Sequence, residues 1–449
     1  MKIETYLDYQ TILANQAFPV HFALRFQAEG RPQPRPHPAA FCVVLDRSGS
    51  MSGEPLAKAK EAAKVAVRNL RGGDQFALVI FDHEARTVFP MQPVRDKTAL
   101  LRQIEEIHEG GNTNLTGGWM LGRDQLQQAP AEANRRLLLL SDGLLNTGII
   151  EPAAVRQIVM SGLETDRIRT SCLGFGDRYN EDLMAELARA TNGQFYDADS
   201  PEKLPAIFES ELEGLQKIAV QNLRLRLRPL DFVEGFMPLG EYPSVRLPDG
   251  RHEFALGDLV TEEERIVCFA LQVLPLPCIG GIPVTTLAGE PLLEIETACD
   301  EIGPAEAKSQ TYTQTIRIQS TQDPGKVTLN GVVVQWVTMQ RAGVVMKEVA
   351  RWMDQGRPDE ALRVLQRAIE ELGRYGPGPE SAEAIQALQD LRRRIEVGDW
   401  DQRARKRSSY RSASYRKMSS RDLWTGDTPP PQFKKPRSNE PDPPPGNAA

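Results

Sequence analysis

From Phe41 to Gly53 the chain reads FCVVLDRSGSMSG, with Asp46, Ser48, Ser50 and Ser52 at alternate positions after an apolar run. Aspartate and serine offer only oxygen, and oxygen donors crowded at the end of a strand suit a hard cation. The same residue types favour turns through local hydrogen bonds, so the stretch alone has two readings. Ser52 reads as a turn or capping residue. Two further places supply matching oxygens. GGNTNLTGG puts Thr113 in a glycine-rich loop ahead of a helical pattern, and RRLLLLSDG ends an apolar run on Asp142. Asp46, Ser48, Ser50, Thr113 and Asp142 together offer two carboxylates and three hydroxyls. Mg²⁺ takes oxygen ligands and commonly keeps waters, so the set suits it. It contains no histidine or cysteine, which disfavours softer metals. His83 and His108, the histidines nearest to it in the chain, lie in polar segments and read as surface residues.

The elements around these residues set their positions. From 41 to 217, apolar runs such as FCVVL, QFALVIF and RRLLLL alternate with amphipathic stretches. In GEPLAKAKEAAKVAVRNL, residues Leu56, Ala59, Ala63, Val67 and Leu70 share one helical face, and Pro55 suits the first turn. Continuous apolar runs are strands buried on both faces, so the pattern predicts a parallel sheet covered by helices on both sides. In such sheets ligands bind beyond the carboxyl ends of the strands, where Asp46 and Asp142 stand.

Outside this α/β unit the pattern changes. Residues 1–30 alternate as strands and 31–40 form a proline-rich linker. Residues 218–336 alternate with a period of two, which predicts an antiparallel β-sandwich that the N-terminal strands complete. Residues 337–398 return to helical periodicity and predict a small helical module, with Trp336 and Trp352 spaced as core anchors. The segment 399–449 loses apolar content and reads as a disordered tail, first basic and then proline-rich.

At 449 residues the chain is too long for one core, and about two to four domains are expected. Its composition, 40% apolar and 26% charged, is that of a globular protein. The net charge of -7 argues against nucleic-acid or anionic-membrane binding by the whole molecule. The five cysteines form no CxxC pair and read as buried free thiols of a reducing compartment. No signal peptide is recognisable, and no apolar stretch reaches the ~20 residues of a membrane helix. A cytoplasmic protein is expected.

DRSGS, GGNTNLTGG and SDG, in that order within an alternating α/β pattern, resemble the metal-ion-dependent adhesion site of the von Willebrand factor type A (VWA) domain. The resemblance covers about 41–217. It assigns the threonine of the site to Thr113 rather than Thr116, because the family's threonine stands directly before the NL and glycine pair. It implies a Rossmann-like sheet with Mg²⁺ or Mn²⁺ at its top. It also implies protein–protein binding in which a partner's Asp or Glu completes the coordination. Intracellular relatives, many of them bacterial, assemble complexes, so the resemblance implies a cytoplasmic scaffold or adaptor.

A metal-dependent phosphoester hydrolase is the alternative. Phosphatases that use a strand-ending aspartate resemble D-x-D; here Ser48 stands where the second acid would protonate the leaving group. Neither G-x-S-x-G nor G-x-x-x-x-G-K-[ST] occurs. A non-enzymatic role is therefore expected. In the tail, RARKRSSYRSASYRKMSSR (403–421) carries eight basic residues and no acid, interleaved with Tyr410 and Tyr415. Ser408, Ser409, Ser412, Ser414, Ser419 and Ser420 suit a basophilic kinase, and the charge suits an acidic partner.

Overall fold

The computed structural model describes residues 1–29, 39–71, 73–141, 146–175, 179–198, 201–279, 282–283, 289–303, 307–374 and 379–419. The chain opens with strands β1 (Lys2–Leu7), β2 (Thr11–Leu13) and β3 (Phe18–Gln27). An α/β unit follows. Its strands are β4 (Ala39–Asp46), β5 (Gln75–Phe81), β6 (Ala85–Pro93), β7 (Asn134–Ser141), β8 (Arg169–Phe175) and β9 (Phe195–Ala198). Its helices are α1 (Glu54–Asn69), α2 (Lys97–Glu105), α3 (Leu115–Gln127), α4 (Pro152–Asp166), α5 (Glu181–Ala190) and α6 (Leu204–Gln216). The strand order is β6-β5-β4-β7-β8-β9, parallel except for β6 at one edge.

Every residue of β4 is buried, and its side chains divide between two cores. Phe41, Val43 and Leu45 pack with α1, α2 and α6, whereas Ala40, Cys42 and Val44 pack with α3, α4 and α5. The two-residue period of the strand thus fills both faces of the sheet. β4 is central, with β5 on one side and β7 on the other. The carboxyl ends of β4 and β7 therefore flank the point where strand order reverses, which is where α/β sheets bind ligands.

Two further sheets face each other. β1 and β3 join β14 (Glu264–Val273) and β11 (Val233–Pro238) in the order β1-β3-β14-β11. The second sheet has the order β12-β13-β10-β17-β18-β2. It contains β10 (Ile218–Pro229), β12 (Ser244–Arg246), β13 (His252–Val260), β17 (Glu290–Ile302) and β18 (Ala307–Thr321). β15 (Cys278–Ile279) and β16 (Ile282–Pro283) form a short hairpin apart. Phe22, Leu24, Leu225, Leu227, Phe269 and Ile295 are among the residues that close the core between the sheets. The outer face of the four-stranded sheet is not free. Ala23, Ile266 and Cys268 pack under helix α7 (Gly331–Asp354), where Tyr6 and Trp336 meet edge to face at 5.6 Å.

Three sequence expectations need correction. The helices begin at Gly331 rather than 337. Val332–Val334 is β-branched and reads as strand, but the Asn330 side chain accepts the Val332 and Val333 amides and caps a helix there. Trp352 packs against the helical core only in part; it is half-buried, with Arg351 and Arg357 over its ring. The largest correction concerns the basic segment, where Gln402–Lys417 is a helix, α10, that packs on α7 alongside α8 (Pro358–Gly373) and α9 (Pro379–Glu396). Asp401 caps it by accepting the Ala404 amide at 2.7 Å. The Ser412 hydroxyl donates to the Gly343 carbonyl at 2.6 Å, a close approach that a side chain at residue 343 would obstruct. Arg405 is held by Glu181, Asp182 and Asp354, and Lys406 lies over the Tyr179 ring. Ser408, Ser412, Ser414 and Ser419 are buried, so a kinase reaches them only from an undocked helix. The Pro-rich 31–38 and 420–449, including Ser420, lie outside the described residues.

Candidate metal centre

β4 ends on Asp46, which is fully buried. Its Oδ1 accepts the Ser48 amide at 2.8 Å and its Oδ2 accepts the Ser141 hydroxyl at 2.6 Å. The chain then turns through a short 3₁₀ segment, Gly49–Met51, in which the Ser48 and Ser50 hydroxyl oxygens lie 3.2 Å apart. Gly53, at φ +82°, takes a backbone conformation that favours glycine and leads into α1.

A second loop is stitched onto this one by its backbone. The Gly110 amide donates to the Arg47 carbonyl at 2.6 Å, and the Gly49 amide donates to the Gly111 carbonyl at 3.0 Å. Asn114 donates from its amide to the Asp82 carbonyl at 2.7 Å. A Cβ at residue 110 would lie 2.0 Å from an Asp82 carboxylate oxygen, so the glycine there permits the approach. Arg47 ties the same corner together by donating to Asp82 Oδ2 at 2.5 Å and to the His108 carbonyl at 3.1 Å. Burial pushes the Asp82 carboxyl up, but the Glu84 amide and the Arg47 and His83 charges more than offset it and hold the group below its ordinary value. His83 itself is largely exposed, as is His108.

Thr113 sits buried in that second loop. Its amide donates to Asn146 Oδ1 at 2.8 Å, and its carbonyl accepts the amides of Asn146 and Thr147. Asn146 and Thr147 are thereby held against the same loop. Thr116 is occupied elsewhere, since its hydroxyl is bonded to both the amide and the carbonyl of Ile149. Four of the five expected residues, Asp46, Ser48, Ser50 and Thr113, thus stand on two adjoining loops. Asp142, between Ser141 and the Asn146 segment in sequence, lies outside the described residues. Sequence reasoning missed Ser141, Arg47 and Asn146. The serine of SDG was the visible signal for the first, while the other two act through contacts that no spacing announces.

The donor set fits a hard divalent cation. Among the described residues no Lys, Arg or His pairs with the buried Asp46. Burial pushes its carboxyl up; the Ser141 and Ser48 hydrogen bonds offset part of that, and Asp82 adds to the push. A carboxylate taken out of water without a cation is costly, and pairing with a metal removes the cost. No group of three or more His, Cys, Asp or Glu side chains is placed to hold a metal ion among the described residues, so any metal here relies on hydroxyls as well as carboxylates.

Residues 42–210 match the family model of the von Willebrand factor type A domain. An uncharacterized protein of Synechocystis sp. is 28% identical over 250 residues, which covers 53% of this chain and 59% of that protein. Inter-alpha-trypsin inhibitor heavy chain H3 of Mus musculus is 26% identical over 204 residues, covering 42% of this chain and 22% of that protein. The match thus spans less than two thirds of either relative. Among solved structures, a von Willebrand factor type A protein from Catenulispora acidiphila covers 88% of this chain and 89% of its own, with TM-score 0.68 at 17% identity. The ArnB paralog VWA2 from Sulfolobus acidocaldarius covers 93% and 98%, with TM-score 0.59 at 15% identity. At these identities the likeness is one of fold, and it extends to the sheets and helices around the α/β unit. That unit of the chain is a von Willebrand factor type A domain.

Proposed function

We propose that Asp46, Ser48, Ser50, Thr113 and Asp142 hold one Mg²⁺ or Mn²⁺, and that a carboxylate from a partner protein completes its coordination. The chain is then a metal-dependent interaction module, a scaffold or adaptor of the cytoplasm rather than an enzyme. The observation that carries this reading is the fully buried Asp46 carboxylate, which has no cationic partner among the described residues and stands beside two serine hydroxyls 3.2 Å apart. Two carboxylates neutralise a divalent ion, and a coordination position left to solvent is where an incoming Asp or Glu gains most. No helix among the described residues is long and apolar enough to cross a membrane.

The reading is tested on the full chain by thermal melting with Mg²⁺ or Mn²⁺ added after EDTA treatment. Binding to the native state raises the melting temperature by mass action, by about 2.7 kcal/mol of stability at a hundredfold excess over Kd. Asp46→Ala is expected to abolish the rise while its circular dichroism stays native. A variant that still responds to the metal overturns the ligand assignment.

A further inference from the structure

A cavity of about 670 Å³ opens where the α/β unit, the facing sheets and the helices meet. Its volume is in the range of small-ligand sites. Helices α5, α7 and α10 line it, and each carries a charged residue at both ends of one face. On α5 these are Asp182 and Arg189, and on α7 Lys347 and Asp354, each pair two helical turns apart. On α10 they are Arg405 and Arg416, three turns apart. At 1.5 Å rise per residue the two ends of the cavity are separated by ~10 to 16 Å.

The ends carry opposite surplus charge. At one end Glu241 is shared by Arg189, Arg416 and, at 2.6 Å, Lys347, so three cations meet one carboxylate. Glu186 lies 4.0 Å from Arg189 and is drawn instead to Arg156 at 3.0 Å. At the other end Arg405 is shared by Glu181, Asp182 at 2.5 Å and Asp354 at 2.6 Å, so three carboxylates meet one cation. Between the ends the wall mixes apolar and aromatic side chains with polar ones, among them Glu186, Glu348 and Arg351. Phe195 and Tyr410 have ring centroids 6.2 Å apart, and Val344 lines the cavity while 43% exposed. Arg265 also lines it and is 5% exposed; its terminal nitrogens bind the Leu256 and Asp258 carbonyls and Glu263, but its Nε has no partner among the described residues.

We propose that this cavity binds a short extended peptide, its anionic end against Arg189, Lys347 and Arg416 and its cationic end against Asp182 and Asp354. An extended chain covers 3.3–3.6 Å per residue, so ~10 to 16 Å corresponds to about three to five residues. The opposed charges fix the direction of the peptide, and they reject a ligand with charge at one end only. None of Asp46, Ser48, Ser50 and Thr113 lines the cavity, so the site is separate from the metal centre.

Isothermal titration of the full chain tests this with lysyl-alanyl-alanyl-glutamate, acetylated and amidated at its termini. Two control peptides replace the glutamate or the lysine by glutamine. The dipolar peptide is expected to bind, and each replacement to weaken it about fivefold or more. Lys347 and Asp354 are 54% and 40% exposed, so substitutions there leave the core intact. Lys347→Met is expected to remove the preference for glutamate over glutamine while keeping the preference for lysine, and Asp354→Asn to do the reverse. Neither EDTA nor Asp46→Ala should change the affinity. Loss of binding in EDTA would place the peptide at the metal centre and overturn the proposal. Equal affinity for all three peptides, or no heat at ~1 mM peptide, overturns it as well.

Discussion

The loop that follows β4 and the helix α10 are both polar, and both lie at places where elements converge, yet they use that polarity in opposite ways. After β4, the buried Asp46 carboxylate accepts from a hydroxyl and an amide, and among the described residues no cation pairs with it. In α10, three of the cations meet an opposite charge or an aromatic face: Arg405 has three carboxylates, Arg416 has Glu241 and Lys406 has Tyr179. On the function proposed above, the first region receives an ion from outside. The second pairs its own cations within the chain and acts as a clasp between the VWA domain, the four-stranded sheet and α7, and only the surplus charge of their partners is left for a ligand. Polarity at a junction therefore signals a ligand only where the neighbouring side chains fail to neutralise it.

The clasp gives the largest expected effect. Tyr415 on α10 is 2% exposed, in the core that α7, α8 and α9 share with β14. Tyr415→Ala is expected to cost about 3 kcal/mol of stability, the usual scale for deleting a buried aromatic ring. Urea unfolding checks it, and the Mg²⁺ response of the variant should stay that of the wild type. A loss below about 1 kcal/mol would mean that α10 is only loosely docked and would return it to the class of solvated tails.

The two regions also differ in how far they could be read in the sequence. Asp46, Ser48 and Ser50 lie within five consecutive residues, so their spacing was informative before any fold was known. The split of β4 between two cores was equally legible, because a strand buried on both faces needs an unbroken apolar run. α10 offered no such signal. Its composition, arginine, serine and lysine without an apolar stripe, is that of a disordered segment. The residues that order it, Glu181, Asp182, Glu241 and Asp354, stand far away in the chain and on other elements. A motif confined to one loop is visible in one dimension, whereas a helix stabilised by distant ion pairs is visible only once the chain has folded. The onset of α7 failed for a related reason: one capping side chain, Asn330, outweighed the strand preference of three valines.

Glu241 sharpens the contrast at intermediate size. Burial pushes its carboxyl up, but Arg416, Arg189 and Lys347 outweigh that and hold it below the ordinary value of 4.5. A carboxylate whose folded-state value is depressed stabilises the fold above its unfolded value, and that contribution is lost as pH falls through the folded value. Glu241→Gln, which leaves three cations with no carboxylate to share, is expected to cost about 2 kcal/mol at pH 7. The difference between wild type and variant should shrink steadily below pH 4.5. Chemical denaturation at a series of pH values measures it. A gap that persists unchanged into strong acid would show that Glu241 acts by packing rather than by charge.

The smallest expected effect separates two threonines three residues apart in the candidate metal centre. Thr116 bonds through its hydroxyl to the Ile149 amide and carbonyl, so its side chain holds the approach to α4. Thr113 instead anchors its loop through backbone atoms, its amide donating to the Asn146 side chain. Replacing a hydroxyl by a methyl of the same shape removes the Thr116 bonds and nothing else nearby. Thr116→Val should therefore lower stability by about 1 kcal/mol, because the Ile149 groups lose one partner, and leave the Mg²⁺-induced rise in melting temperature intact. Thr113→Val keeps the backbone anchors, so its metal-free stability should stay within about 0.5 kcal/mol of wild type while the Mg²⁺ response falls. Thermal melting of both variants with and without Mg²⁺ gives the four numbers needed. If the metal response falls in Thr116→Val and survives in Thr113→Val, the two threonines exchange roles, and the loop rather than the helix end becomes the structural half of the pair.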